Sequence, residues 1–172
     1  MELIKIKTLY DFISLYATIL YFYSFIRLFY KRDIYIFIGV LIATIGAKII
    51  KRLTQDMNPN IFKRPDNACD TNPFNLGGYA GNRPGFPSGH TFLTSYVMYY
   101  LILKNNNSFF ELDSLIKQII IIIVAYARVK KGAHRTIQVV AGYIFGLLLA
   151  CIMIYGVNNL FFLETTNTLP YF

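Results

Sequence analysis

The sequence predicts an all-α fold, an integral membrane helical bundle with about five transmembrane helices, on three observations. Apolar residues make up 55% of the 172-residue chain and charged residues only 15%, where soluble domains carry about 25% charge. Five apolar runs are separated by charged or polar stretches, and a membrane helix needs roughly 20 apolar residues. The formal net charge is +8, with the basic residues almost entirely between the runs. A membrane surface or an anionic substrate accounts for that placement, and nucleic acid is not implied.

Residues 8–30 form the first run, with Asp11 and Arg27 near its ends, where both can snorkel to the interface. It is too long for a signal peptide and reads as a retained span. Lys31, Arg32 and Asp33 make a short charged turn before a second run, residues 34–50. Residues 51–89 then form one long polar stretch holding five of the six prolines and no regular apolar period. A loop of that length reads as functional or disordered, and the motif at its end favours function. Residues 91–103 and 115–126 are the third and fourth runs, both short for a span. Their ends fit a protein cavity at the membrane surface, where irregular backbone is tolerated. Residues 137–157 are the fifth, with Gly142 and Gly146 four apart. That spacing can bring helices close, although glycine is common in membrane helices in any case. Cys69 lies in a polar loop and Cys151 in an apolar run, so no disulfide is expected, and no zinc-type spacing occurs. The whole chain reads as one membrane-embedded domain.

Five spans place the 51–89 and 128–135 loops on one side. The two histidines, His90 and His134, sit at the edges of those loops. In Pro87-Ser88-Gly89-His90, loop gives way to helix, and free N–H groups at a helix N-terminus bind anions. Gly89 lets an anion approach the backbone, Ser88 adds a hydroxyl, and His90 can move a proton near neutral pH. An ordinary serine N-cap beside a surface histidine would look the same. Arg128 precedes His134 by six residues, and His134 and Gln138 are four apart, on one helix face. An acceptor there can hold one ring nitrogen and leave the other to act as nucleophile or base. Arg128 carries a fork suited to phosphate oxygens, whereas Lys130, Lys131 and Arg135 also fit a plain positive-inside loop.

Pro87-Ser88-Gly89-His90, followed by Arg128-x5-His134 and Val139-Val140-Ala141-Gly142, resembles the type 2 phosphatidic acid phosphatase family. The resemblance covers roughly residues 48–146. The family's three motifs are Lys-x6-Arg-Pro, Pro-Ser-Gly-His and Ser-Arg-x5-His-x3-Asp. It implies that His134 is the nucleophile, taking the phosphoryl group as a phosphohistidine, and that His90 protonates the leaving oxygen. It implies further that Ser88, Gly89 and Arg128 hold the phosphate oxygens, with no metal or other cofactor. Three positions depart from the pattern. Met57 stands where the first motif has lysine, seven residues before Arg64-Pro65. Arg64 is the first choice of cation there and Lys51 the second, with Lys63 and Arg83 as further candidates. Ala127 replaces the serine before Arg128, and Gln138 replaces the orienting aspartate. A glutamine oxygen can accept the same hydrogen bond, but the amide can turn over and cannot stabilise an imidazolium. Gln138→Asp is therefore expected to raise turnover. Asp66 or Asp70 could also reach in from the long loop.

The function this implies is a multi-pass membrane phosphatase acting on lipid phosphate monoesters or isoprenoid diphosphates. A lipid phosphotransferase and an inactive lipid-phosphate-binding protein are the alternatives. Both share the anion pocket. The first would pass the bound phosphoryl group to an alcohol, and the second would leave it unreacted.

Overall fold

The computed structural model describes residues 9–72 and 75–156. The apolar runs become helices: α1 (Leu9–Ser14), α2 (Tyr16–Tyr30), α3 (Ile34–Leu53), α5 (Gly89–Lys104), α6 (Leu112–Lys130) and α7 (Thr136–Cys151). A π-helical turn, Ile152–Gly156, prolongs α7. The first run is not one uniform helix. Leu15 N–H bonds back to Phe12 O at 3.0 Å, a three-residue step that tightens the chain between α1 and α2.

The long polar stretch has more structure than its sequence announces. It contains a four-residue helix, α4 (Pro59–Phe62). Proline opens α4, and the Asn58 side chain caps it by accepting from Asn60 N–H at 2.9 Å. An antiparallel hairpin follows, β1 (Cys69–Asn72) with β2 (Asn75–Tyr79), bulged between Asp70 and Thr71. Elements this short are over before an apolar period can register.

Among the described residues, three helices are long and apolar enough to cross a membrane: Phe12–Tyr30, Ile34–Leu53 and Thr136–Gly156. The other two apolar runs, α5 and α6, do not meet that length and composition, so the expected count of five spans is not established. At 16 residues, α5 is shorter than a span needs. It is instead the axis of the bundle, with every residue from Thr91 to Ile102 buried. The 19-residue α6 carries Asp113, Lys117, Arg128 and Lys130 towards its ends. Outward faces of the surrounding helices are strongly apolar, as at Phe22, Phe29, Ile45, Ile122 and Leu148, the surface expected against hydrocarbon.

Two glycines set the tightest packing. A Cβ on Gly142 would stand 2.6 Å from Ser88 O, and one on Gly146 would stand 2.6 Å from Phe92 O. The small-residue spacing therefore brings α7 onto the α5 backbone, and the two helices run side by side in the same direction.

At the far end of α5, Asp33 is buried between helices. Its carboxylate accepts from Arg27 at 2.8 Å and from Tyr100 OH at 2.6 Å, and it pairs with Lys104 at 2.8 Å. Arg27 thus turns to a partner in the protein and does not snorkel. One carboxylate ties α2, α3 and α5 together.

Candidate active site

The α6–α7 connection shows why five residues separate Arg128 from His134. Gly132 adopts φ 71°, the left-handed conformation that glycine enters without strain. The chain reverses there, and both Ala133 N–H (3.1 Å) and His134 N–H (3.3 Å) return to Arg128 O. The two side chains are thereby set at one end of the bundle, both almost fully buried.

Gln138 holds His134. Its Oε1 lies 3.0 Å from His134 Nδ1 and also accepts from Arg135 N–H at 3.3 Å. Its Nε2 donates to Ile61 O and Lys63 O, each at 2.9 Å. The amide cannot turn over, because that would set its oxygen against two carbonyls. This corrects the freedom that the sequence alone left to it. With Oε1 fixed as acceptor, a neutral His134 donates through Nδ1 and keeps its lone pair on Nε2. Burial, followed by the charges of Arg64, Arg128 and Lys51, pushes the imidazole well below the usual histidine range, against the opposing Gln138 hydrogen bond.

Three cations, Arg64, Arg128 and Lys51, thus lie close enough to act on His134. Arg64 is buried, its backbone N–H bonded to Arg83 O at 3.0 Å. The bridge between Lys63 and Pro84 sets the two edges of the loop side by side. Lys51 arrives from the last turn of α3, and its Nζ lies 3.7 Å from where a Gly89 Cβ would be. Arg64 and Lys51 also share a cavity of about 340 Å³ with Lys48, Arg52 and Arg83. Met57 is exposed, so the lysine that reaches the site lies on α3, well before the motif's spacing.

The N-terminus of α5 completes the arrangement. Ser88 precedes the helix, its N–H donates to Gln138 O at 2.8 Å, and its hydroxyl accepts from Thr91 at 3.2 Å. Gly89 and His90 are half-buried in the first turn. Asp66 is exposed in a turn of the loop, and the side chain of Asp70 lies outside the described residues. Arg135 acts as a fastener, donating from Nε to Lys63 O at 3.2 Å. Among the described residues, no three His, Cys, Asp or Glu side chains gather as a metal site.

Sequence reasoning missed Ser14. Arg128 Nη1 donates to its hydroxyl at 2.9 Å, and both residues are buried. A polar residue inside an apolar run was the only signal.

What the arrangement can do is hold an anion of phosphate size among fixed cations, beside a neutral, oriented imidazole. No solved structure matches the chain. The PAP2 superfamily model matches residues 33–162, which include both histidines, Arg128, Arg64, Lys51 and Gln138, and on that match the chain belongs to the PAP2 superfamily.

Proposed function

We propose that the protein is a multi-pass membrane phosphatase that hydrolyses lipid phosphate monoesters or isoprenoid diphosphates through a phosphohistidine. Superfamily membership supports phosphatase-type phosphoesterase activity. The finer reading rests chiefly on one observation: His134 is held at Nδ1 by Gln138 Oε1 at 3.0 Å, among Arg64, Arg128 and Lys51.

In this reading the phosphoryl group sits with its oxygens toward Arg128, Arg64, Lys51, Ser88 and the Gly89 N–H. His134 Nε2 attacks phosphorus. The P–N bond forms as the bond to the leaving oxygen breaks, and His90 gives that oxygen its proton. Water then attacks the phosphohistidine, His90 takes the proton back, and inorganic phosphate departs. The fixed cations stabilise the charge that builds on the equatorial oxygens. The apolar outer surface of the bundle keeps the lipid part of the substrate in the bilayer.

The test is phosphate release from a panel of lipid phosphates and diphosphates by purified protein, with and without chelator. An acid-labile phosphoprotein should be trapped by rapid denaturation in the wild type and be absent in His134→Ala. Release that proceeds without any such intermediate would overturn the nucleophile assignment. No release from any substrate, with phosphate still bound, would favour an inactive binder.

A further inference from the structure

We propose that Ser14 is a positioning residue of the phosphate site, holding the Arg128 guanidinium in its working orientation. This rests on the reading that Arg128 binds the phosphate. Arginine can only donate hydrogen bonds, so the Ser14 hydroxyl must accept from Arg128 Nη1 at 2.9 Å. Its own proton goes to Tyr10 O at 2.8 Å. The hydroxyl thus donates on one side and accepts on the other, and the direction of each bond is settled.

The local backbone supports the role. Ser14 is the last residue of α1, at the tightened step where Leu15 N–H reaches Phe12 O. On the same helix Tyr10 packs edge-on against Tyr126, with ring centroids 6.4 Å apart. Tyr126 lies two residues before Arg128, so α1 grips α6 just where the arginine leaves it. A guanidinium is planar, so fixing one Nη restricts the plane in which its remaining donors lie. Both partners are buried, and water cannot take over the bond. Ser14 also lies outside the residues matched by the superfamily model, 33–162. The helix ahead of the matched region therefore supplies part of the support for the site.

The experiment uses the full chain in lipid nanodiscs, with Ser14→Ala, Ser14→Thr, Arg128→Lys and the Ser14→Ala/Arg128→Lys pair. It reads phosphate release from a lipid phosphate monoester, binding of inorganic orthophosphate, and the unfolding midpoint. Ser14→Ala should weaken orthophosphate binding and raise KM about tenfold, the scale of one hydrogen bond to a charged group, with a smaller fall in kcat. The midpoint should fall by no more than the loss of one buried hydrogen bond, so orthophosphate binding is the deciding readout. Ser14→Thr, which keeps the hydroxyl, should restore binding. In the Arg128→Lys background Ser14→Ala should have no further effect, because the bond it removes is already gone. If Ser14→Ala does not fold, Ser14→Cys, a poor acceptor of similar shape, tests the same bond.

Orthophosphate binding equal to wild type in Ser14→Ala would overturn the proposal, as would full additivity with Arg128→Lys. Wild-type protein that binds no orthophosphate would overturn it too. Wild-type protein that binds orthophosphate but releases none from lipid phosphates would sink the phosphatase reading alone. Ser14 would then stand or fall on the binding measurement.

Discussion

The two ends of α5 bury ionisable groups in opposite ways. At the far end Asp33 meets Arg27, Lys104 and Tyr100. Burial alone would raise its pKa, but the hydrogen bonds from Lys104, Tyr100 and Arg27 win and hold the carboxyl below its usual range. At the near end three cations act on His134, and the imidazole is held neutral. Cations lower the pKa at both ends, yet the outcomes are opposite. A carboxylate is fixed in its charged form and closes its own circuit of bonds. A histidine is fixed in its uncharged form, and the positive field around it is suited to an incoming anion. In the proposed reading, like charges act as a fastener in one place and as a receptor in the other.

The largest effect should come from removing the neutral base. His134→Ala should lower phosphate release by at least about 10⁴-fold, the scale of losing a nucleophile, while leaving the unfolding midpoint close to wild type. In wild type the acid limb of the kcat/KM profile should lie well below pH 6.5, because His134 stays neutral there. A half-maximal rate near pH 6.5 would show that the cations do not act on it.

Asp33→Ala should do the reverse. It leaves Arg27 and Lys104 without their carboxylate and should cost about 3 kcal/mol of stability, the low end for a buried pair because both cations are partly exposed. Activity measured below the unfolding transition should persist. The sign with pH follows from the lowered pKa. The Asp33 contribution is fully present above the unfolded value of about 4 and is lost as pH falls toward the folded one. Thermal melts from pH 7 down to pH 3 would show it, and Asp33→Ala should flatten that slope.

Gln138→Asp comes next. The sequence suggested a gain from restoring the family's aspartate, and the structure argues for a loss. A carboxylate would face Ile61 O and Lys63 O, now satisfied by the amide. Turnover should fall about tenfold to a hundredfold, the cost of unsatisfied buried groups in the site. A rise in kcat would mean that His134 needs a charged partner more than the loop needs its donor. The smallest effect expected is in packing. Gly146→Ala should cost about 1–3 kcal/mol by forcing α7 off the α5 backbone, and Gly46→Ala, with open space around it, should not destabilise. Equal unfolding midpoints for the two variants would show that the helices can part freely.

Much of the near end was legible in the sequence. Pro87-Ser88-Gly89-His90 and Arg128-x5-His134 announced themselves by residue type and spacing. Contacts between distant segments were not legible. Ser14 meets Arg128 114 residues away, and no local pattern encodes such a pairing. Lys51 was second choice because spacing favours residues near a motif, whereas α3 delivers it from its last turn. Asp33 read as part of a charged turn, since a carboxylate between two basic neighbourhoods looks the same exposed or buried. The span count is not settled at α5, where apolar composition marks a helix wrapped in protein as readily as one facing lipid.

The bonds from Gln138 also bear on how the protein comes into being. Lys63, whose carbonyl the amide holds, is made 75 residues earlier, roughly 4–15 s ahead at the usual pace of synthesis. Throughout that interval the Arg64 segment has neither Gln138 nor Arg135 to fasten it. Chains stopped before α7 should therefore carry the cations without the pocket. In the proposed reading, the arrival of α7 turns a basic loop into a site.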